Sequence, residues 1–251
     1  MAPVFWKVSS KARSTRVALE GLYAGYTAFL IGGSPRLLEL DLRLLRLPGA
    51  WSMAINNAAV LFEPQAFIAL DVPSCFNPNI FSNPRVMKLF GYSRASDMVS
   101  NKRLCHYPNT LFFDMQDETQ MMMSEFCRLE GPLPFWSVTF FTALAALYQL
   151  GFQKVNLLGC TFDSKGYAHG HNGDEFEQIR NFDVMTDTVG KFRDLLPMLQ
   201  DEGMQVRTCH AGTALDDFCP YVSYEGALTE CSLAATAVEF NDPRLSPQFK
   251  K

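Results

Sequence analysis

Several absences narrow the reading of this 251-residue chain before any motif is considered. No lysine- or arginine-rich stripe stands out, and the formal net charge is -4. The electrostatic footprint of a dedicated nucleic-acid binder is therefore missing. The seven cysteines (Cys75, Cys105, Cys127, Cys160, Cys209, Cys219 and Cys231) never stand at C-x-x-C spacing. That speaks against a zinc knuckle and a thioredoxin-like site, and an odd count in a long chain fits reduced thiols in the cytosol. The opening residues mix lysine, arginine and serine and lack the apolar core of a secretory signal. The most apolar stretch, Phe135–Leu150, is too short for a bilayer and is interrupted by Ser137, Thr139, Thr142 and Gln149. There is no internal repeat, no low-complexity run, and neither a G-x-G-x-x-G fingerprint nor a P-loop.

What remains is ample core material, since 48% of the residues are hydrophobic. It is arranged in short runs that end in polar or glycine residues. Thr27–Ile31 (TAFLI) meets Gly32-Gly33-Ser34-Pro35 and reads as a buried strand. Leucines near helical spacing follow over Leu37–Leu45, ended by Pro48-Gly49. Trp51–Ile55 runs into Asn56-Asn57, and Ala66–Leu70 into Asp71. Lys154–Leu158 runs into Gly159-Cys160-Thr161, after a helix over Ser137–Leu150 that stops at Gly151. Glu175–Glu202 reads as helical with breaks at Gly190 and Pro197, and Gln205–Thr208 as a last strand. This order predicts an α/β fold, a Rossmann-like, mostly parallel sheet with helices on both faces. Its boundaries are an N-terminal extension over 1–26, a nucleotide-binding domain over 27–215 and a C-terminal tail over 216–251. Within the domain, 72–134 is rich in proline and asparagine. It reads as an irregular, lid-like insertion with a short helix near Arg85–Phe90, a strand at Leu111–Phe113 and a helix over Gln120–Arg128.

The candidate chemistry lies where strands end. A strand feeding a helix through Gly32, Gly33 and Ser34 places backbone N–H groups where a phosphate could sit, although a plain tight turn explains the same residues. The Asn56 and Asn57 carboxamides could read a base or sugar, or only form a turn. Asp71 could bind a sugar hydroxyl or a metal, or cap the next segment. All three positions fall at one sheet edge, which favours a site. The loop after Cys160 and Thr161 carries Tyr167, His169 and His171 among Gly166, Gly170 and Gly173. Of four histidines, His106 sits in the irregular middle and His210 follows the last strand. Elimination leaves His169 or His171 as a general base, with a plain solvated loop as the other reading of the same residues. Their i, i+2 spacing is not that of a helical metal pair, so no metal site is assigned. Glu125/Glu130 and Asp216/Asp217 read as solvated charge, and Met121–Met123 as core.

The order of these motifs resembles that of a known group. Phe29–Leu37 (FLIGGSPRL) is similar to the strand–GNGPSL opening shared by two families. One is the bacterial sialyltransferases acting on lipooligosaccharide. The other is the hydroxymethylpterin pyrophosphokinase-like proteins, which include flagellin-glycosylation and phage proteins. Asn56 matches an asparagine of that pattern, and Val155–Phe162 (VNLLGCTF) resembles its SGIDF block. The resemblance spans about Thr27 to Thr208 and is closest in look to the phage members, which would place the protein in host cytoplasm. It implies a nucleotide-activated donor such as a CMP-sugar, held by the Gly32–Ser34 turn and Asn56. Ser137 or Thr139 would lie near the phosphate, Gly159 and Thr161 would line the pocket, and Tyr167 would contact the phosphate. The chain departs from the pattern at Gly33, Ser34, Arg36 and Thr161. No histidine stands near Phe182–Val184, where the family base falls. The resulting expectation is a sialyltransferase-like glycosyltransferase that passes a sugar to a hydroxyl acceptor without a required cofactor. Two alternatives stay open. One is a Mg²⁺-dependent phosphotransferase using Asp71 or Asp163, and the other a non-catalytic nucleotide-binding or assembly protein. Homo-oligomer formation is likewise open.

Overall fold

The structure is a computed structural model that describes residues 5–9, 14–117, 123–128, 131–136, 138–162 and 175–237. Its strands are β1 (Phe5–Val8), β2 (Ser14–Val17), β3 (Thr27–Ile31), β4 (Ala50–Ile55), β5 (Ala66–Ala69), β6 (Met87–Gly91), β7 (Met98–Val99), β8 (Lys102–Arg103), β9 (Thr110–Phe113), β10 (Met115–Asp117), β11 (Leu133–Phe135), β12 (Lys154–Leu158) and β13 (Gln205–Thr208). The helices are α1 (Pro78–Ser82), α2 (Thr139–Leu150), α3 (Glu175–Asp201) and α4 (Tyr224–Ala237).

Nine strands form one sheet in the order β13-β12-β3-β4-β5-β6-β9-β1-β2. Every pairing from β13 to β9 is parallel, and the two pairings of β1, with β9 and with β2, are antiparallel. This is the α/β architecture the apolar runs imply. β3 is buried along its whole length because both sheet faces are covered, which is why its sequence is continuously apolar rather than alternating. On one face, α2 and α3 pack Phe141, Leu144, Phe192 and Leu199 over Leu30, Met53 and Leu157. On the other, α4 lays Tyr224, Ala227, Leu228 and Cys231 over Phe29, Ile31 and Leu158. Further along that second face, a phenylalanine cluster (Phe67, Phe76, Phe81, Phe90, Phe112) replaces a full helical layer. Among the described residues, no helix is long and apolar enough to cross a membrane.

The structure departs from the sequence expectations at several points. Leu37–Leu45 is not one helix. It forms two five-residue 3-10 turns, Pro35–Glu39 and Leu42–Arg46, because the Asp41 side chain accepts from the Arg43 N–H and restarts the turn. The Arg85–Phe90 segment is strand β6, its Met87–Gly91 stretch buried throughout, while the short helix lies earlier, at α1. Strands β6 and β9 carry part of 72–134 into the main sheet, so that stretch is not wholly a lid. The tail after 216 holds α4, whose apolar residues at 224, 227, 228 and 231 have helical spacing. The N-terminal extension supplies the antiparallel edge. Only a 3-10 turn, Met123–Glu125, is described within Gln120–Arg128. α3 runs through Gly190 and Pro197 unbroken, its buried Phe192, Leu195 and Leu199 stripe outweighing the missing proline N–H.

Candidate functional site

The order of the parallel strands fixes where a ligand crevice can open. From β3 the chain moves outward through β4, β5, β6 and β9, then returns to β12 on the opposite side of β3. The crossovers to either side of β3 leave in opposite directions, so a gap opens beyond the carboxyl ends of β3 and β12. Open α/β sheets bind ligands at such a switch point. β3 delivers Gly32, Gly33 and Ser34 to this edge, and β12 delivers Gly159, Cys160 and Thr161.

The glycines there serve contact between the two strand ends. A Cβ on Gly32 would stand 2.5 Å from the Gly159 carbonyl oxygen and 2.9 Å from Cys160 Sγ. A Cβ on Gly159, whose φ is +61°, would strike Leu37 at 2.6 Å. The Gly32 N–H donates to the Leu158 carbonyl at 2.8 Å and the Ser34 N–H to the Gly159 carbonyl at 3.0 Å. Two of the amides expected to cradle a phosphate are thus committed within the protein. Ser34 Oγ accepts from the Arg36 N–H at 3.4 Å and caps a 3-10 turn too short to have a helix dipole.

Helix α2 faces this edge with its first turn. It ends at Gly151, just before β12 begins, so its N-terminus lies where the strands finish. Its N-cap, Val138, provides no side-chain hydrogen bond to the first turn. Thr139, the first helical residue, donates through Oγ1 to Asn56 Oδ1 at 3.4 Å, and Asn56 Nδ2 reaches Asp71 Oδ2 at 3.5 Å. Residues from β4, β5 and α2, far apart in sequence, therefore meet in one polar cluster. Both contacts are long, as in a site whose groups also face solvent. The Phe162 ring packs on Phe140 at 4.9 Å, tying the β12 end to the α2 end. Thr161 Oγ1 is buried without a hydrogen-bond partner among the described residues.

Two non-glycine residues with left-handed backbone occur at this edge, Asn56 (φ +50°) and Phe162 (φ +50°). Asparagine tolerates this region, but for phenylalanine it costs on the order of 1–2 kcal/mol. Strain of this kind concentrates at functional sites.

His210 was set aside in the sequence because it follows the last strand. β13 is the neighbour of β12, so that strand end belongs to the same edge. His210 is buried, and its Nε2 accepts the Gly159 N–H at 2.9 Å. That bond requires an unprotonated Nε2 and makes His210 a brace for the glycine turn. Arg36, a departure from the resembled motif, donates to the Ala211 carbonyl at 2.5 Å and places a half-buried cation beside the crevice. Burial pushes the Cys160 thiol up to about 12, so it stays protonated and is no nucleophile at neutral pH. Tyr167, His169, His171 and Ser137 lie outside the described residues. Among the described residues, no group of three or more His, Cys, Asp or Glu side chains could hold a metal ion.

The crevice thus gathers Gly32, Gly33, Ser34, Gly159 and Thr161, with Asn56, Thr139 and Asp71 beside them. No protein family matches the chain, and neither a curated protein nor a solved structure does.

Proposed function

We propose that this protein binds a nucleotide-activated sugar at the β3/β12 crevice and transfers the sugar to a hydroxyl acceptor. The observation that carries the reading is the Thr139–Asn56–Asp71 cluster at the N-terminus of a twelve-residue helix, on the same sheet edge as the buried, unpartnered Thr161 hydroxyl. A leaving phosphate is stabilised there by the helix dipole and by hydroxyl donors. The acceptor oxygen attacks the donor carbon, and the bond from that carbon to the phosphate oxygen breaks. The phosphate departs with the electron pair, and His169 or His171 takes the acceptor proton.

The test is a thermal-shift screen with CMP, UDP, GDP, ATP and their sugar conjugates, with and without Mg²⁺. A ligand at a hundred times its Kd adds about 2.7 kcal/mol, which raises Tm by roughly 5–10 °C in a chain of this size. No shift with any of them overturns the reading. With a donor in hand, His169→Ala or His171→Ala is expected to slow turnover by ~10²–10⁴-fold. Retained turnover in both removes these two histidines as the source of the base. The exposed Asp71 carboxylate favours one second reading, a Mg²⁺-dependent phosphotransferase. A thermal shift seen only with Mg²⁺ and lost in Asp71→Asn selects it.

A further inference from the structure

A cleft of about 220 Å³ opens on the second sheet face, over the part that α4 does not reach. Its origin is topological. The β4–β5 crossover folds as the 3-10 turn Asn56–Val60, and the β5–β6 crossover carries the 3-10 turn Pro73–Cys75 and the five-residue α1. Neither is long enough to roof the sheet, so the gap between them persists, floored by Phe67 and Phe76.

The lining has a distinct chemistry. Asn56 and Asn57 come from one wall and Asn77, Asn79 and Asn83 from the other. Asn77 Oδ1 and Asn83 Oδ1 accept from the backbone N–H groups of Asn79 and Arg85, which shapes the second wall. The Asn57 and Asn79 carboxamides make no such bond among the described residues and stand free for a ligand. Val60 and Ile80 add apolar surface between them, and the single charged lining residue is Glu63. Lys88, on the same face, is fully buried and spends its Nζ on the Phe81 and Asn83 carbonyls, so it presents no cation to the cleft.

We propose that this cleft is a binding site for one uncharged sugar ring. Carboxamides both donate and accept, which suits hydroxyls radiating from every side of a pyranose. A nucleobase would need polar partners along one edge only, between flat apolar faces. A carboxylate in the lining with no accessible cation disfavours phosphates and acidic sugars. The volume accommodates a single ring. The cleft lies on the sheet face and not between β3 and β12, and Asn56 is the residue it shares with the nucleotide reading, so the variants tested leave Asn56 in place.

The test is a titration of the ¹⁵N-labelled protein with glucose, galactose, N-acetylglucosamine, glucuronate and inorganic phosphate, followed through side-chain amide signals. A ring of about a dozen heavy atoms at ordinary ligand efficiency gives a Kd on the order of 1 mM. At least one neutral sugar is expected to shift the Asn57 and Asn79 signals saturably, with glucuronate at least tenfold weaker. Asn79→Ala, at an exposed position, and the double variant Asn57→Ala/Asn79→Ala are expected to weaken binding at least tenfold at unchanged Tm. Three outcomes overturn the proposal: no response at roughly fifty times the expected Kd, equal or tighter binding of phosphate or glucuronate, or unchanged affinity in the double variant. Failure here with a positive nucleotide screen removes the sugar cleft alone.

Discussion

Gly32→Ala is the sharpest probe of the crevice. The added methyl carbon would sit 2.5 Å from the Gly159 carbonyl oxygen and 3.0 Å from the Gly159 carbonyl carbon. Backbone cannot swing aside as a side-chain tip can, so the β3 and β12 ends must part. Overpacking of this kind costs about 1–3 kcal/mol. Parting the strand ends also stretches the Gly32-to-Leu158 and Ser34-to-Gly159 hydrogen bonds, each worth roughly 1 kcal/mol. The expected loss is about 2–4 kcal/mol, a fall in Tm of roughly 4–16 °C. Equilibrium urea denaturation reads the free energy, and a thermal melt reads Tm. The control is Gly190→Ala in α3, where a Cβ meets nothing within 4 Å. That change is expected to stabilise by about 0.5–1 kcal/mol through helix propensity. If Gly32→Ala melts within about 1 °C of the unaltered protein, the tight β3/β12 junction is wrong and the site built on it falls.

Three further outcomes follow from buried and paired groups. Burial lowers the Lys88 ammonium to about 7, so between pH 7 and its unfolded value the unfolded chain binds the extra proton and stability rises with pH. In urea melts from pH 7 to 8.5 the slope should be more positive in the unaltered protein than in Lys88→Met by at most about 1.4 kcal/mol per unit, a difference in which the opposing ionisation of unfolded thiols, shared by both proteins, cancels. A slope unchanged in Lys88→Met contradicts the assignment. The Arg207 guanidinium, then burial acting against it and Lys154, leave the Glu230 carboxyl lowered to about 2, which ties α4 to β12 and β13. Its stabilisation is present above about pH 4.5 and lost as pH falls toward 2. With Glu230 40% exposed, solvent screening reduces it to about 1 kcal/mol, so Glu230→Gln should match the unaltered protein at pH 2 and fall below it at pH 6. Cys160, Cys209, Cys219 and Cys231 are buried and pushed up to about 11–12 by burial, whereas Cys75 is exposed. Thiol labelling of the native protein at pH 8 should therefore lose its fast phase in Cys75→Ser, and rapid labelling of any of the four would contradict their burial.

How far the site was legible depended on whether its partners were local. Asn56, Asp71 and Thr161 could be picked out because each ends an apolar run, and strand ends of a parallel sheet share an edge. Their actual contacts could not. Thr139 meets Asn56 across 83 positions of chain, a distance that no periodicity encodes. Chain order puts His210 after the last strand and away from Gly159, whereas β13 pairs with β12 in space. The role of Gly32 shifted for a related reason. Its lack of a side chain was evident, but the group that needs the room is the Gly159 backbone rather than a ligand.

By itself the sequence determined the class of fold. Short, fully apolar runs such as TAFLI are stable only between two covered faces, and each ended in residues that prefer turns. The αL stop at Gly151 (φ +95°) was equally local. The tertiary structure alone decided that 87–91 is a strand. Met87–Gly91 (MKLFG) carries a lysine that no local rule buries, and only the carbonyls of Phe81 and Asn83 make its burial tolerable. It also decided where the chain doubles back to set β12 beside β3 and open the crevice. Strand order is a long-range choice, made by which faces can be buried together, and no window of sequence contains it.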